Sequence, residues 1–138
     1  MTKVLIDTHI CLDALLNRKP FMIPALQLLE YSQQNVFQGM VAAHSFDTLF
    51  YLLNKKFTKE KTYKGLKILR KSYNILTVTG KIIDSALNAE WPDFEIAIHY
   101  QAALQSECDA IVTRNDVDFK NASLPVLSPH QFLEQLEN

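Results

Sequence analysis

The sequence predicts an α/β fold, a three-layer α/β/α sandwich built on a sheet of four or five mainly parallel strands. Short runs rich in β-branched residues, such as residues 3–7 and 109–113, alternate with longer segments whose apolar residues recur at helical spacing. A strand, a crossover helix and a second strand form a parallel unit. Repeated alternation therefore favours one parallel sheet with helices on both faces.

The composition indicates a single globular domain spanning residues 1–138. An apolar fraction of 48% and a net charge of −1 are ordinary for such a domain and exclude a uniformly basic coat for nucleic acid, although not a local basic patch. No apolar run approaches the ~20 residues that cross a bilayer, and the amino terminus lacks the pattern of a signal peptide. We therefore expect a cytoplasmic protein without a membrane partner. Cys11 and Cys108 lack metal-ligand spacing and are expected to be buried thiols.

Proline and capping residues set the boundaries of the elements. Strands are predicted at residues 3–7, 36–41, 74–78 and 109–113, with a short fifth strand around Val126. Helices are predicted at residues 8–16, 24–34, 43–57, 58–71, 80–90 and 129–136, with one more between residue 93 and the fourth strand. Pro20 ends the first helix because the residue before proline disfavours helical geometry, and Pro24 suits the first turn of the second. Thr58 and Asp93 are the expected N-caps of their helices.

Polar and acidic residues follow two of the predicted strands. Asp7 ends the first strand, and the turn formed by residues 113–118 follows the fourth. Ligands bind outside the carboxyl ends of the strands in open α/β sheets, so these groups are expected at the functional edge. Two other roles remain open: Asp7 is a natural N-cap for the next helix, and turn chemistry alone explains Asn115 and Asp116.

Two motifs, LIDTHICLD at residues 5–13 and TRNDVDF at residues 113–119, together resemble the PIN domain family and, within it, the VapC-like toxin ribonucleases. The resemblance covers nearly the whole chain. It implies an endoribonuclease that depends on Mg²⁺ (or Mn²⁺), acts on an RNA substrate, forms a homodimer and is blocked by a small antitoxin protein. Crowded carboxylates repel one another unless a cation neutralises them, and Mg²⁺ prefers oxygen ligands and can activate water.

The resemblance assigns roles to individual residues. Asp7, Asp47 and Asp118 are expected as the metal ligands, with Asn115 facing the site and Thr113 orienting a metal-bound water. Asp47 has a simpler alternative role, since an acidic residue in the first turn of a helix stabilises the helix dipole by ~0.3–1 kcal/mol. His9 stands where the family has Asn, and a hydrogen-bonding role beside the ligands is favoured for it.

The sequence departs from the family pattern at the helix that Asp93 caps. Relatives read D-F-E-D-A, with the second Asp directed at the metal, whereas this chain has Ile96 at that position. Glu95 is a fourth candidate ligand because it is long and lies in the first turn. His99, one turn further, is its expected partner, either in a side-chain pair or in a His–Glu metal site. The alternative function is therefore a PIN-fold module that binds RNA or a protein partner with impaired catalysis.

Basic residues are concentrated in one segment. Eight of the fourteen Lys and Arg residues lie between residues 55 and 71, against a single acidic residue, Glu60. Such clustering is typical of a surface that contacts an RNA backbone, although a solvated helix face is an equally simple explanation. The residues assigned to RNA binding are Lys55, Lys56, Lys59, Lys64, Lys67 and Arg114. For Arg114, pairing with a neighbouring acid is the alternative.

Overall fold

The computed structural model describes all 138 residues and contains one five-stranded parallel sheet covered by helices. The strands are β1 (Lys3–Ile6), β2 (Gln38–Ala42), β3 (Asn74–Leu76), β4 (Ala110–Val112) and β5 (Val126–Leu127). Their order across the sheet is β3-β2-β1-β4-β5, and every neighbouring pair is parallel. The predicted fold class is confirmed.

Seven helices connect and flank the strands. They are α1 (Thr8–Leu15), α2 (Met22–Gln33), α3 (Ser45–Asn54), α4 (Lys59–Ser72), α5 (Gly80–Ala89), α6 (Phe94–Gln105) and α7 (Pro129–Glu137), with a short 3-10 helix at Asp116–Phe119. Two predicted caps are present: the Thr58 hydroxyl accepts from the Lys61 N–H, and Asp93 Oδ1 accepts from the Ile96 N–H. None of the seven helices combines the length and the apolar character that crossing a membrane requires.

Side chains of the sheet alternate between two separate hydrophobic cores. Val4 and Ile6 point into the core shared with helices α1 to α4 and α7, whereas Leu5 points into the core shared with α5 and α6. The alternation follows from the two-residue period of a strand, and both faces are apolar because helices cover both. Both predicted thiols are buried, Cys11 in the first core and Cys108 in the second.

Gly39 in β2 lies at a point of close approach. A Cβ atom at this position would lie 2.5 Å from Tyr73 Cδ1 and 2.7 Å from Ser32 Oγ. Those distances are shorter than van der Waals contact, so the ring of Tyr73 occupies the space that a side chain would need. Gly80, at the start of α5, has nothing within 4 Å of such an atom.

The register of the central strands positions the functional edge. Ile6 of β1 pairs with Val112 of β4, and the Asp7 N–H donates to the Val112 carbonyl at 3.0 Å. Asp7 and Thr113 therefore leave the sheet side by side. The turn that follows is anchored by Phe119, which is 1% exposed and belongs to the second core.

Candidate active site

Asp7 is the central acidic residue of this edge. It is 3% exposed, and the Thr113 hydroxyl donates a 2.7 Å hydrogen bond to its Oδ2 atom. Burial raises the pKa of Asp7 and the nearby charge of Asp118 acts in the same direction, while the Thr113 hydrogen bond opposes the shift. Although Asp7 is the N-cap residue of α1, its side chain makes no capping hydrogen bond. A buried carboxylate next to a second one favours a bound cation, so these residues fit a divalent metal.

The turn after β4 surrounds the Asp7 carboxylate with polar groups. Thr113 is 1% exposed, and its hydroxyl oxygen also accepts a hydrogen bond from the Asn115 N–H at 3.1 Å. Asp118 lies in the 3-10 helix with an exposed side chain, and Asp116 is exposed as well. The structure thus brings Thr113 into contact with Asp7 and places Asp118 near enough for its charge to act on Asp7, whereas Asn115 reaches Thr113 through its backbone N–H.

Two imidazoles and Glu95 extend the site toward α3 and α6. His99 is 1% exposed, and its Nε2 atom lies 3.8 Å from Asp7 Oδ1 and 3.9 Å from Glu95 Oε1. The same nitrogen is hydrogen-bonded to the Thr8 hydroxyl at 3.2 Å. The ring of His44 lies 4.6 Å from the ring of His99, measured between centroids. His44, Glu95 and His99 each place a potential ligand atom within 4.8 Å of the others.

Burial controls the charge of these three groups. It lowers the pKa of His99 to about 3, with the neighbouring His44 adding to the shift. Burial also lowers the pKa of His44, although the nearby backbone of Glu95 partly opposes this shift. The pKa of Glu95 is raised by burial and by the charges of Asp93 and Asp7. Both imidazoles are therefore neutral at pH 7 and keep a lone pair free for a proton or a metal.

The structure does not bring Asp47 into this cluster, and its role as a metal ligand stays a prediction. Asp47 is exposed and makes no hydrogen bond or ion pair. The reason is rotational: Ser45, which contacts the Thr8 hydroxyl at 2.9 Å, faces the site, and Asp47 lies two residues or about 200° further around α3. His44 takes the position next to the site. It follows β2 at the carboxyl end of the sheet, the same signal that identified Asp7 from sequence.

Ile96 occupies no ligand position. Its side chain is half-buried against the second core, and its N–H is bound by the Asp93 cap at 3.1 Å. Glu95 is directed toward His99 instead. Helix α6 therefore contributes Glu95 and His99 to the site as a side-chain pair. It has no carboxylate at position 96, where Ile96 stands. His9, at the start of α1, is exposed, and its charge lowers the pKa values of Asp7 and Glu95.

Arg114 is paired with an acid within the protein, so of its two expected roles the structure shows the ion pair, and contact with RNA stays a prediction. Its Nε and Nη2 atoms donate hydrogen bonds of 2.8 and 3.2 Å to the carboxylate of Asp13, and Asp13 is only 1% exposed. Arg18 Nη1 lies 3.6 Å from the same carboxylate, and the guanidinium of Arg114 also stacks over the ring of Phe21 at 4.1 Å. A buried carboxylate requires such a partner, so the pairing alternative describes Arg114.

The basic segment forms an exposed surface along the end of α3 and along α4. All eight basic side chains are exposed, and none forms an ion pair. A shallow groove on α4 is lined by four lysines, one acid and two apolar residues: Lys59, Lys64, Lys67, Lys71, Glu60, Tyr63 and Ile68. Free lysines interleaved with an exposed aromatic ring are compatible with contact to a nucleic-acid backbone.

Comparison with known proteins identifies the family. The family model described as PIN domain matches residues 3–116. No curated protein matches the sequence significantly. VapBC2 from Rickettsia felis, solved bound to a DNA fragment from its promoter, is 18% identical with a TM-score of 0.70 over 92% of this chain and 98% of the other.

Two further solved structures share the fold. A toxin-antitoxin complex from Klebsiella pneumoniae is 23% identical with a TM-score of 0.66, over 91% of this chain and 97% of the other. Mycobacterium tuberculosis VapC20, described as a sarcin-ricin loop cleaving toxin, is 14% identical with a TM-score of 0.64, over 78% of this chain and 86% of the other. Because the matched segment covers most of the chain, the protein belongs to the PIN domain family, and it has the fold found in VapC structures.

Proposed function

We propose that the protein is a metal-dependent endoribonuclease and the toxin of a toxin-antitoxin pair. The observation that supports it best is the buried Asp7 carboxylate next to Asp118, at the sheet edge where the PIN fold is expected to act. VapC20, which shares the fold, is described as a toxin that cleaves the sarcin-ricin loop. Fold alone does not fix function, so the proposal depends on the residues of this site.

The residues have separable roles in the proposed reaction. Asp7 and Asp118 would hold Mg²⁺ or Mn²⁺, which when bound neutralises phosphate charge and activates water. Thr113 fixes the orientation of the Asp7 carboxylate through its 2.7 Å hydrogen bond, and its oxygen in turn receives the Asn115 N–H. Glu95, half exposed and with a raised pKa, is suited to exchange a proton with a group in the cleft.

RNA cleavage by the purified protein tests the activity. Asp7→Asn should reduce Mg²⁺- or Mn²⁺-dependent cleavage of a structured RNA by at least a hundredfold while the protein remains folded. Asp116→Asn is the matched control, because Asp116 is an exposed acid two residues before Asp118 and belongs to no part of the proposed centre. Equal cleavage by wild type and Asp7→Asn would contradict the proposal.

The RNA surface is proposed to be the lysine groove of α4. Lys64 and Lys67 line the groove with exposed, unpaired ammonium groups. Each phosphate contact on single-stranded RNA contributes about 0.7 to the slope of log affinity against log salt, so replacing both lysines with Ala should lower the slope by up to about 1.4. Lys19→Ala with Lys81→Ala removes the same charge from other exposed positions and should leave the slope unchanged. A slope that is equal in both double variants would assign the segment to a solvated helix face.

The proposed protein partner is a small antitoxin, with a second copy of this chain forming a homodimer. Tyr51, Tyr63 and Ile68 expose 62%, 45% and 42% of their surface on α3 and α4. Tyr63 and Ile68 line the same groove of α4, and exposed apolar side chains that lie together are typical of a protein-binding surface. Light scattering should give the mass of a dimer, and co-expression with the product of a neighbouring reading frame should give a stable complex.

A binding module with impaired catalysis is the second candidate, and Ile96 is the observation that favours it. One experiment distinguishes the ribonuclease from the binding module. RNA that binds with the expected salt dependence and remains intact at saturating Mg²⁺ and Mn²⁺ would favour the binding module.

A further inference from the structure

His44, Glu95 and His99 form a second cluster of metal-ligating groups beside the Asp7 carboxylate. Two elements meet here: His44 precedes α3, whereas Glu95 and His99 lie one turn apart on α6. Their potential ligand atoms all lie within 4.8 Å of one another, and His99 Nε2 is 3.9 Å from Glu95 Oε1. The cluster has a different ligand chemistry from the two aspartates, because it offers nitrogen as well as oxygen.

The hydrogen bonding of the cluster is incomplete. Both ring nitrogens of His44 and Nδ1 of His99 are buried and have no hydrogen-bond partner within the protein. His99 itself is 1% exposed. Buried polar side-chain atoms nearly always have a partner, and burying one without a partner is costly. Each of the two adjacent rings therefore has a buried nitrogen without a partner, which in His99 is Nδ1 because its Nε2 already contacts Thr8, and these nitrogens point to a bound group.

The ligand types select a class of metal. Two imidazoles and one carboxylate suit Zn²⁺, Co²⁺, Fe²⁺ and Ni²⁺, whereas Mg²⁺ takes oxygen ligands almost exclusively. Zn–N and Zn–O bonds of about 2.0–2.1 Å place tetrahedral ligand atoms about 3.3 Å apart. The potential ligand atoms lie within 4.8 Å of one another, so metal binding requires them to approach by up to about 1.5 Å, and the half-exposed side chains of Glu95 and His44 would supply this movement.

Neighbouring groups hold the imidazole of His99 in position. Thr8 lies 3.2 Å from His99 Nε2 and 2.9 Å from Ser45 Oγ, and Asp7 Oδ1 lies 3.8 Å from the same nitrogen. Hydroxyls and carboxylates next to a ligating histidine orient the ring and tune its basicity. The ring of His99 is thus held through Nε2 before any metal arrives, which leaves Nδ1 as its free nitrogen and lowers the ordering cost of binding.

We propose that His44, Glu95 and His99 form a binding site for a transition-metal ion of the Zn²⁺ class, separate in its ligand set from the Mg²⁺ or Mn²⁺ centre proposed at Asp7 and Asp118. The proposal concerns metal binding and does not depend on ribonuclease activity. An inactive protein that binds Zn²⁺ here would still support it.

Metal titration of chelator-treated full-length protein tests the site. Zn²⁺ should bind with one equivalent by calorimetry, and Co²⁺ should give visible absorption bands of nitrogen and oxygen coordination. His44→Gln and Glu95→Gln should each weaken Zn²⁺ binding at least tenfold. These two side chains are less buried than His99, so the variants keep the fold intact, which circular dichroism checks. His130→Gln is the matched control, since His130 is exposed on α7, and its Zn²⁺ affinity should equal that of wild type.

The outcomes are distinct. Weaker binding in both site variants, with His130→Gln and Asp118→Asn unchanged, supports the proposal. Unchanged Zn²⁺ affinity in folded His44→Gln and Glu95→Gln, or weakening by Asp118→Asn alone, overturns it and leaves the two imidazoles as a packed pair. RNA cleavage measured separately in Mg²⁺ reports on the ribonuclease proposal.

Discussion

The ion pair between Arg114 and Asp13 should stabilise the fold measurably. Asp13 is 1% exposed and receives two hydrogen bonds from Arg114, at 2.8 and 3.2 Å, while Arg18 reaches it only at 3.6 Å. Breaking a buried ion pair by removing one partner costs about 3–5 kcal/mol, because the remaining charge is left uncompensated. The Arg114 side chain is 25% exposed and Arg18 remains, so both solvent and the second arginine reduce the loss. We expect Arg114→Ala to lower the free energy of unfolding by about 2–3 kcal/mol.

Urea denaturation of a small variant set measures this coupling. Arg18→Ala should cost less than about 1 kcal/mol, since its single contact is longer and more exposed. Arg114→Lys should fall between wild type and Arg114→Ala, because an ammonium keeps the charge and loses the two-pronged geometry. In the Asp13→Asn background, Arg114→Ala should cost clearly less than in wild type, and the difference is the coupling energy of the pair.

The contrary result is equally specific. Ordinary surface substitutions change the free energy of unfolding by up to about 0.5 kcal/mol. If Arg114→Ala lies within that range of wild type, the pair contributes little to stability. If that variant also lost RNA affinity, the guanidinium would be available to phosphate, and the predicted contact with RNA would be supported.

Three further perturbations test the packing and electrostatics of the site. Burial lowers the pKa of His99 to about 3 from 6.5, so below pH 6.5 the unfolded chain binds a proton that the native state does not. Between pH 6.5 and pH 5, the free energy of unfolding of the metal-free wild-type protein should therefore fall by about 2 kcal/mol more than that of metal-free His99→Gln, as measured by urea unfolding. Equal falls in the two proteins would contradict the burial argument. Ile96→Asp should cost about 1–3 kcal/mol by removing contacts with the second core, whereas a stable variant with tighter Mg²⁺ binding would place residue 96 in the cleft. Gly39→Ala should cost about 1–3 kcal/mol because the new Cβ overlaps Tyr73, and Gly80→Ala, with open space, should have no comparable cost in thermal unfolding.

The fold was predictable because its signals are local. Strands buried on both faces read as short apolar runs, and their neighbouring helices carry their own stop and start residues, such as Thr58 and Asp93, which cap α4 and α6 as expected. Asp7 and Thr113 were found together for a topological reason, since both leave the carboxyl ends of parallel strands that pair in the centre of the sheet. These inferences need only the sequence near each element.

The remaining site depends on rotation and on distant contacts, which local patterns do not encode. Whether residue 44, 45 or 47 faces the cleft is decided by the phase of α3, and one helical position changes direction by about 100°. Arg114 pairs with an acid 101 positions earlier in the chain. No local pattern separates that guanidinium from one that is free to bind phosphate, so the sequence left both roles of Arg114 open, and the packing shows the pair with Asp13.

The composition of the site links the two metal proposals. The resemblance predicts carboxylates at Asp47 and Ile96, yet the first faces solvent and the second position is apolar, while neutral imidazoles of His44 and His99 lie beside Asp7. Replacing carboxylates with neutral nitrogen ligands lowers the negative charge of the cleft. Less charge repulsion is left for a hard cation such as Mg²⁺ to relieve, and softer divalent ions gain ligands that they prefer. We therefore expect weak Mg²⁺ binding at Asp7 and Asp118 together with tighter Zn²⁺ binding at the imidazoles, and titrating each metal separately measures the two affinities.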